Sequence, residues 1–179
     1  MSILSVQSHV AYGHVGNRSA VFPLELLGFE VWPINTVQFS NHTGYGTWTG
    51  QVFTPGHIDE IWKGILDLGA QGDCEAVLSG YLGAAGIGES ILRALADVRA
   101  AQPRAVYCCD PVMGDYGRGV FVREGILDFL RDRAVPRADI VTPNQFEAEL
   151  LTGLGIRSLG DARTVAEALH RMGPPIVLI

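Results

Sequence analysis

Short apolar runs alternate with longer amphipathic stretches along the whole chain, and this alternation limits the possible folds more than any other feature. Six runs are strand candidates: residues 3–7, 30–39, 76–78, 105–109, 139–141 and 176–179. Most of them are continuously hydrophobic, which is typical of strands that are covered on both faces.

The stretches between these runs carry helical spacing. Apolar residues recur every three or four positions in three stripes, at Ile58, Ile61, Trp62, Ile65 and Leu66, at Ile87, Ile91, Leu92, Leu95 and Val98, and at Val165, Ala168, Leu169 and Met172. Thr54 with Pro55 precedes the first stripe, and Ser158 with Asp161 precedes the third, as helix start signals do. We therefore expect a single α/β domain over residues 1–179, with a mainly parallel sheet and helices on both faces.

The amino-acid composition argues against two classes of protein, nucleic-acid-binding proteins and membrane-spanning proteins. The sequence contains 13 Lys and Arg and 19 Asp and Glu, which gives a net charge of −6, and Lys63 is the only lysine. Scattered arginines do not make a nucleic-acid-binding surface, and no run approaches the roughly 20 apolar residues of a membrane span. Three cysteines, an odd count, favour reduced thiols in a cytoplasmic protein. An anionic ligand would have to be held by backbone amides, helix N-termini or a metal ion.

Ligands of parallel sheets bind beyond the carboxyl ends of the strands, so the segments there are the candidate sites. Ser8 ends the first strand, and Gly13 and Gly16 follow it in a turn that allows close approach of the backbone to a ligand. The same segment is also compatible with ordinary turn glycines and Asn17 as a helix N-cap. Its spacing matches neither the phosphate loop nor the dinucleotide fingerprint.

The ends of the fourth and fifth candidate strands carry carboxylates. Asp110 and Asp115 are placed to meet a hydrated Mg²⁺ or its phosphates, although Asp110 with Pro111 is also typical of an ordinary turn. Asn144 and Glu147 form a capping-box pattern of a helix that Gly153 ends, and they are equally placed to hold metal-bound water. The polar, Gly-rich segment 39–53 is too long for an ordinary connection and predicts a binding loop with short irregular strands, or a solvated surface loop.

Five segments together resemble the pyridoxal kinase family of the ribokinase-like superfamily. They are Ser8-His9-Val10 through Gly16-Asn17, Phe39-Ser40-Asn41-His42-Thr43, Ser79-Gly80-Tyr81-Leu82-Gly83, Asp110-Pro111-Val112-Met113-Gly114-Asp115 and Thr142-Pro143-Asn144-x-x-Glu147. Their order and spacing match the family over essentially the whole chain. The resemblance implies a three-layer ribokinase-like fold and transfer of the γ-phosphoryl group of ATP to the 5′-hydroxymethyl group of pyridoxal, pyridoxine or pyridoxamine.

The resemblance also implies roles for individual residues. Ser8, His42, Thr43, Gly44 and Tyr81 are expected at the vitamin, with His42 supporting its loop. Asp110, Asp115, Thr142, Asn144 and Glu147 are expected at the ATP phosphates, with Asp110 and Glu147 at Mg²⁺ and a monovalent cation near Asp115 and Thr142. The family also implies a homodimer.

One family feature is missing from these residues. The Gly-x-Gly-Asp motif, whose Asp is the family's catalytic base, does not occur among them. We therefore expect no catalytic base within this chain, since the resemblance places that Asp beyond Ile179. We also expect a domain that is incomplete after its sixth strand, as in a fragment of a longer kinase. The alternatives are a short paralogue that binds pyridoxal without phosphorylating it, a hydroxymethylpyrimidine kinase, and an unrelated doubly wound domain.

Overall fold

Nine strands and six helices alternate along residues 1–179 of the computed structural model. The strands are β1 (Ser2–Tyr12), β2 (Glu30–Asn41), β3 (Gly50–Val52), β4 (Cys74–Ser79), β5 (Val106–Cys109), β6 (Gly114–Asp115), β7 (Gly119–Val120), β8 (Ile140–Val141) and β9 (Ile176–Val177). The helices are α1 (Asn17–Leu26), α2 (Pro55–Asp67), α3 (Ala85–Ala101), α4 (Ile126–Phe129), α5 (Gln145–Thr152) and α6 (Leu159–Met172). All six predicted strands are present, and β1 and β2 continue beyond their predicted ends.

The last predicted strand, residues 176–179, is shorter than expected. β9 ends at Val177, so Leu178 and Ile179 lie outside it, and both are exposed. The reason is its neighbour: β9 is the edge strand and pairs only with the two residues of β8. One further bond, from the Leu178 N–H to the Val141 carbonyl at 3.0 Å, extends the contact past Val177. Apolar character alone therefore overestimated the extent of this strand.

Seven strands form the main sheet in the order β3-β2-β1-β4-β5-β8-β9. Every pair is parallel except β2 with β3. β6 and β7 form a separate antiparallel hairpin. Every residue from Ser2 to Ser8 is buried, as expected for a strand that is covered on both faces. The predicted mainly parallel α/β architecture is therefore confirmed.

The core joins the sheet to the helices in one cluster of 29 buried residues. Ile58 and Trp62 of α2 belong to it, whereas Ile61, predicted on the same apolar stripe, is exposed. The Thr54 hydroxyl accepts the His57 N–H and starts α2, as predicted. The Ser158 hydroxyl accepts the Asp161 N–H and starts α6 in the same way. Local sequence signals thus set the starts of α2 and α6, and packing decides which side chains of a stripe are buried.

Two further composition-based expectations meet the structure. Cys74, Cys108 and Cys109 are unpaired; Cys74 and Cys109 are buried and Cys108 is half-buried. None of the six helices has the length and apolar character that a membrane crossing requires.

Candidate functional site

A cavity lies at the carboxyl ends of β1, β2, β4 and β5, where the parallel topology predicts a ligand site. It encloses about 300 Å³. Its walls are formed by Gln7, Ser8, Val10, His14, Val15, Gly16, Ser19, Phe39, His42, Thr43, Tyr81, Asp110, Val112 and Phe121. The cavity therefore combines apolar and aromatic surface with a few polar groups, as small-molecule sites do.

Four of the five residues predicted at the vitamin line this cavity: Ser8, His42, Thr43 and Tyr81. Gly44 does not. It lies in an adjoining cavity with Gly13 and Tyr45, and the two cavities have His14, Val15 and His42 in common. The structure thus brings together residues from three separate segments of the chain, whereas Gly44 lines the adjoining cavity instead.

A bulge within β1 and a glycine after it shape the first wall of the cavity. The pairing of β1 with β2 shifts register between Gln7 and His9, so that the consecutive residues Gln7 and Ser8 both reach the cavity. Gly16 has φ +56°, and a Cβ there would lie 2.1 Å from the Ser8 carbonyl oxygen. The glycine was expected to admit a ligand, but its close contact within the chain is with the backbone of Ser8.

Asn17 is not the N-cap that the turn interpretation predicted. Gly16 occupies the cap position of α1 and no side chain caps this helix. The Asn17 side chain is instead buried, accepts a hydrogen bond from Ser5 Oγ (2.8 Å), and donates to the Ile34 carbonyl (3.1 Å). Burial of the polar side chain is compensated by these bonds, which fasten α1 to β1 and β2.

The segment 39–53 carries β3 and a short 3-10 turn, Thr43–Tyr45, as the prediction of short irregular elements requires. The Trp48 ring packs on Phe39 with centroids 4.1 Å apart, and Asn41 Nδ2 donates to the Thr47 carbonyl at 2.9 Å. These contacts fold the segment back on the end of β2. A freely solvated loop would lack them, so the structure favours the binding-loop interpretation.

His42 supports this loop, as predicted. Its Nδ1 accepts the Gly44 N–H at 3.2 Å and so caps the 3-10 turn that presents Thr43. Burial lowers the pKa of His42, and the positive charge of Arg118 lowers it further. Both causes favour the neutral ring that the hydrogen bond requires.

Asp110, which lines the cavity, and Glu147, which does not, form a pair of electrostatically coupled carboxylates. The Thr142 hydroxyl donates to Asp110 Oδ1 at 3.3 Å. Burial, followed by the negative charge of Glu147, raises the pKa of Asp110 to about 6. Burial also raises the pKa of Glu147, against the effect of the Met113 and Asn144 N–H groups that donate to it. Glu147 is buried and Asp110 is half-buried, and neither carboxylate has a basic partner, so the pair favours a bound cation.

A metal at this pair would need ligands beyond the side chains. No group of three or more His, Cys, Asp or Glu side chains is arranged to hold an ion. The available donors are carboxylate and hydroxyl oxygens, the type that Mg²⁺ prefers, and Mg²⁺ commonly keeps several waters or phosphate oxygens as ligands. The residues present therefore fit a hydrated Mg²⁺ better than a metal held by protein alone.

Asn144 and Asp115 surround this pair without lining the cavity. Asn144 and Glu147 form the predicted capping box of α5, and Gly153 ends the helix with φ +71°. Asn144 Nδ2 also donates to the Gly114 carbonyl at 2.9 Å, which ties the β6–β7 hairpin to α5. Asp115 is exposed on β6, and its charge contributes to the raised pKa of Glu147.

The hairpin supplies two residues that the sequence did not indicate. Phe121, directly after β7, lines the cavity. The Arg118 guanidinium lies 4.7 Å from the centre of the Phe121 ring and donates to Thr43 Oγ1 at 3.4 Å. The glycines at 114, 117 and 119 are the signal that points to a hairpin, because they admit a tight turn between two very short strands.

Fold and site together define a ribokinase-like protein, in which a parallel α/β sheet carries a small-molecule cavity beside a carboxylate pair. Comparison with known families gives the finer assignment. The phosphomethylpyrimidine kinase family matches residues 53–179, and the chain belongs to this family.

The related proteins are consistent with this assignment. Over 100% of its length, the chain is 62% identical to pyridoxal kinase PdxY of Granulibacter bethesdensis and 59% identical to that of Rubrobacter xylanophilus. It covers 64% and 62% of these two proteins, so it spans a little under two thirds of their length.

Solved structures give the same result. Pyridoxal kinase from Leishmania donovani in complex with ADP and pyridoxamine superimposes with a TM-score of 0.92 at 38% identity, over 98% of this chain and 62% of that one. Pyridoxal kinase of Entamoeba histolytica with PLP gives 0.92 at 26% identity, over 99% and 64%. The resemblance to pyridoxal kinases that the motifs indicated is confirmed.

Proposed function

We propose that the complete protein is an ATP-dependent pyridoxal kinase, which transfers the γ-phosphoryl group of ATP to the 5′-hydroxymethyl group of pyridoxal, pyridoxine or pyridoxamine. One observation carries the proposal: a single cavity joins Ser8, Thr43 and Tyr81 to Asp110, so that a pocket for a polar ring opens toward a carboxylate pair. Phosphoryl transfer depends mainly on alignment and charge stabilisation, and this arrangement supplies the alignment.

In this proposal, one group of residues binds the vitamin and another forms the phosphate side of the site. Ser8, Thr43 and Tyr81 bind and orient the vitamin, while His42 holds the turn that carries Thr43. The phosphate side is formed by Asp110, Asp115, Thr142, Asn144 and Glu147. Mg²⁺, held through Asp110 and Glu147, would supply neutralisation of phosphate charge.

No catalytic base is assigned among residues 1–179, because the family's Gly-x-Gly-Asp motif is not among them. The chain covers 64% of the Granulibacter bethesdensis relative. A catalytic Asp beyond Ile179 therefore stays a prediction about the complete protein. The sequence that follows Ile179 in the reading frame tests it: a Gly-x-Gly-Asp motif there would supply the base, and its absence would favour a non-catalytic paralogue.

The test of the activity is formation of pyridoxal 5′-phosphate by the complete, folded protein with ATP, Mg²⁺ and pyridoxal. Ser8→Ala and Thr43→Ala should raise KM severalfold, since each removes one hydrogen bond to the substrate. Thr164→Ala, an exposed change on α6, is the matched control. Absence of product with all three vitamers, from a preparation shown to be folded, would contradict the proposal.

A second candidate is hydroxymethylpyrimidine kinase, favoured by the description of the matching family. The same assay with hydroxymethylpyrimidine as the alcohol separates the two, because the preferred substrate has the higher kcat/KM. A non-catalytic pyridoxal-binding paralogue is the third candidate. It predicts saturable pyridoxal binding without turnover at any protein concentration.

Three further proposals concern surroundings and partners. A monovalent cation near Asp115 and Thr142 predicts that activity depends on K⁺. The unpaired cysteines support a cytoplasmic location. A homodimer is supported by three exposed apolar side chains on α1 and directly after it: Phe22 at 69%, Leu26 at 75% and Leu27 at 73% exposure. Light scattering should then give twice the chain mass, and Leu26→Glu should give the monomer.

A further inference from the structure

A buried chain of polar side chains leads from α1 to the cavity and ends on Gln7. Asn17 Nδ2 donates to the Ile34 carbonyl at 3.1 Å and to Asn35 Oδ1 at 2.8 Å. Asn17 Oδ1 accepts from Ser5 Oγ at 2.8 Å, and Ser5 Oγ accepts from Gln7 Nε2 at 3.0 Å. Ser5, Gln7 and Asn17 are all buried.

The direction of every bond in this chain follows from its first acceptor. The Ile34 carbonyl only accepts, so the amide nitrogen of Asn17 must face it and the amide oxygen must face Ser5. The single hydroxyl hydrogen of Ser5 is then directed to Asn17, and Ser5 is left to accept from Gln7. The amide of Gln7 is therefore fixed with Nε2 toward Ser5 and Oε1 on the opposite side.

Gln7 Oε1 lacks a hydrogen-bond partner within the protein. The only hydrogen bond of the Gln7 side chain is the one that Nε2 donates to Ser5, so no donor of the protein reaches Oε1. The polar side-chain atoms that are both fully buried and unpaired are His9 Nδ1 and Gln71 Oε1. Gln7 Oε1 is not one of them, and it therefore keeps surface that a ligand can reach. Gln7 lines the cavity. Gly80 lies beside the oxygen, where a Cβ would come within 2.6 Å of it. The hydrogen-bonded side chains of Asn17, Ser5 and Gln7 thus fix the orientation of an unpaired carbonyl oxygen on a residue that lines the cavity.

We propose that Gln7 is a specificity-determining residue, whose Oε1 accepts a hydrogen bond from a hydroxyl or amino group on the ring of the bound substrate. This inference rests on the proposed function and deepens it. The hydroxyls of Ser8, Thr43 and Tyr81 each donate or accept, so they tolerate either kind of ring substituent. Gln7 Oε1 only accepts, and a ligand without a donor there leaves it unpaired, which selects against that ligand.

The test uses the complete protein and three probes: pyridoxine, 3-deoxypyridoxine, which lacks the ring hydroxyl, and 4-deoxypyridoxine, which lacks the 4-hydroxymethyl oxygen. Dissociation constants are measured by calorimetry for the wild type and for Gln7→Met, which keeps the length of the side chain and removes the acceptor. The wild type should bind pyridoxine about 5- to 10-fold more tightly than one of the analogues. Gln7→Met should weaken pyridoxine binding by about the same factor and remove that preference.

Equal weakening for all three probes, or no weakening, would overturn the inference. Gln102→Met, at the end of α3, is the control that should leave all three constants unchanged. If Gln7→Met does not fold, Ser5→Ala carries the test, since it frees the Gln7 amide to rotate and should reduce the same preference. A wild type that phosphorylates pyridoxine while both variants keep the preference overturns this inference alone, whereas a wild type that neither binds nor phosphorylates any probe overturns the proposed function and this inference with it.

Discussion

Arg118 Nη2 donates to Thr43 Oγ1 at 3.4 Å across a separation of 75 residues. The same guanidinium lies over Phe121 and lowers the pKa of His42. Thr43, Phe121 and His42 all line the cavity. Arg118 therefore fastens the β6–β7 hairpin to the turn after β2 and holds two walls of the cavity together.

Arg118→Ala should raise the KM for pyridoxal about 3- to 10-fold and change kcat little. The reason is that the variant releases the two walls that position the vitamin, while exposed interactions of this kind contribute modestly. Steady-state kinetics of the complete protein measures both constants. Arg163→Ala, on an exposed position of α6, should change neither. A fall in kcat with an unchanged KM would show that Arg118 acts on the transferred group instead.

The 3-10 turn Thr43–Tyr45, which the His42 side chain caps, should become less stable at acidic pH. The folded-state pKa of His42 lies below its ordinary value of 6.5, so the stability that the neutral ring contributes is complete above pH 6.5. It is lost as the pH falls through the lowered pKa, because protonation of Nδ1 removes the acceptor for the Gly44 N–H. An NMR titration of the His42 ring measures this step directly.

A comparison of variants isolates that titration from others in the same range. In Arg118→Ala the His42 titration should move to higher pH, since a repelling positive charge is gone, yet it should stay below 6.5 because burial is the larger cause. A His42 pKa at or above 6.5 in the wild-type protein would refute the proposed neutral cap.

Asp110→Asn should stabilise the ligand-free protein at neutral pH and remove phosphoryl transfer. The pKa of Asp110 is raised to about 6, so its favourable contribution is present below the ordinary value of 3.8 and is lost as the pH rises through 6. Above that pH the charged group costs on the order of 3 kcal/mol, since the pKa rises from 3.8 to about 6 and one pKa unit corresponds to about 1.4 kcal/mol. Asn keeps the Oδ1 acceptor for Thr142 and carries no charge.

Thermal unfolding with and without Mg²⁺ checks this prediction. The wild type should gain stability from Mg²⁺ at neutral pH and Asp110→Asn should gain less, whereas Asp73→Asn, on an exposed turn, should behave as the wild type. Lower stability of Asp110→Asn than of the wild type without Mg²⁺ would mean that the charge of Asp110 does not destabilise the folded protein.

The sequence predicted the parts of the site that follow from strand order and local capping. Asp110 and Thr142 end neighbouring parallel strands, so their meeting follows once the sheet is assumed. The positions of Arg118 and Gln7 in the site could be found only from the structure. The contact of Arg118 with Thr43 depends on how a glycine-rich hairpin folds over a distant loop, and the exposure of Gln7 to the cavity depends on a bulge that shifts the register of β1. Neither leaves a periodic pattern in the sequence.

Two glycines in helices provide a matched test of the packing. A Cβ on Gly88 of α3 would lie 2.2 Å from the ring of Phe129, whereas a Cβ on Gly64 of α2 meets nothing within 4 Å. Gly88→Ala should destabilise the protein, because overpacking of about 1–3 kcal/mol exceeds the gain in helix propensity of about 1 kcal/mol. Gly64→Ala should stabilise it by about 0.5–1 kcal/mol. Urea unfolding of the complete protein measures both changes. Stabilisation by both substitutions would show that α3 and α4 do not pack as closely as the contact of Gly88 with Phe129 requires.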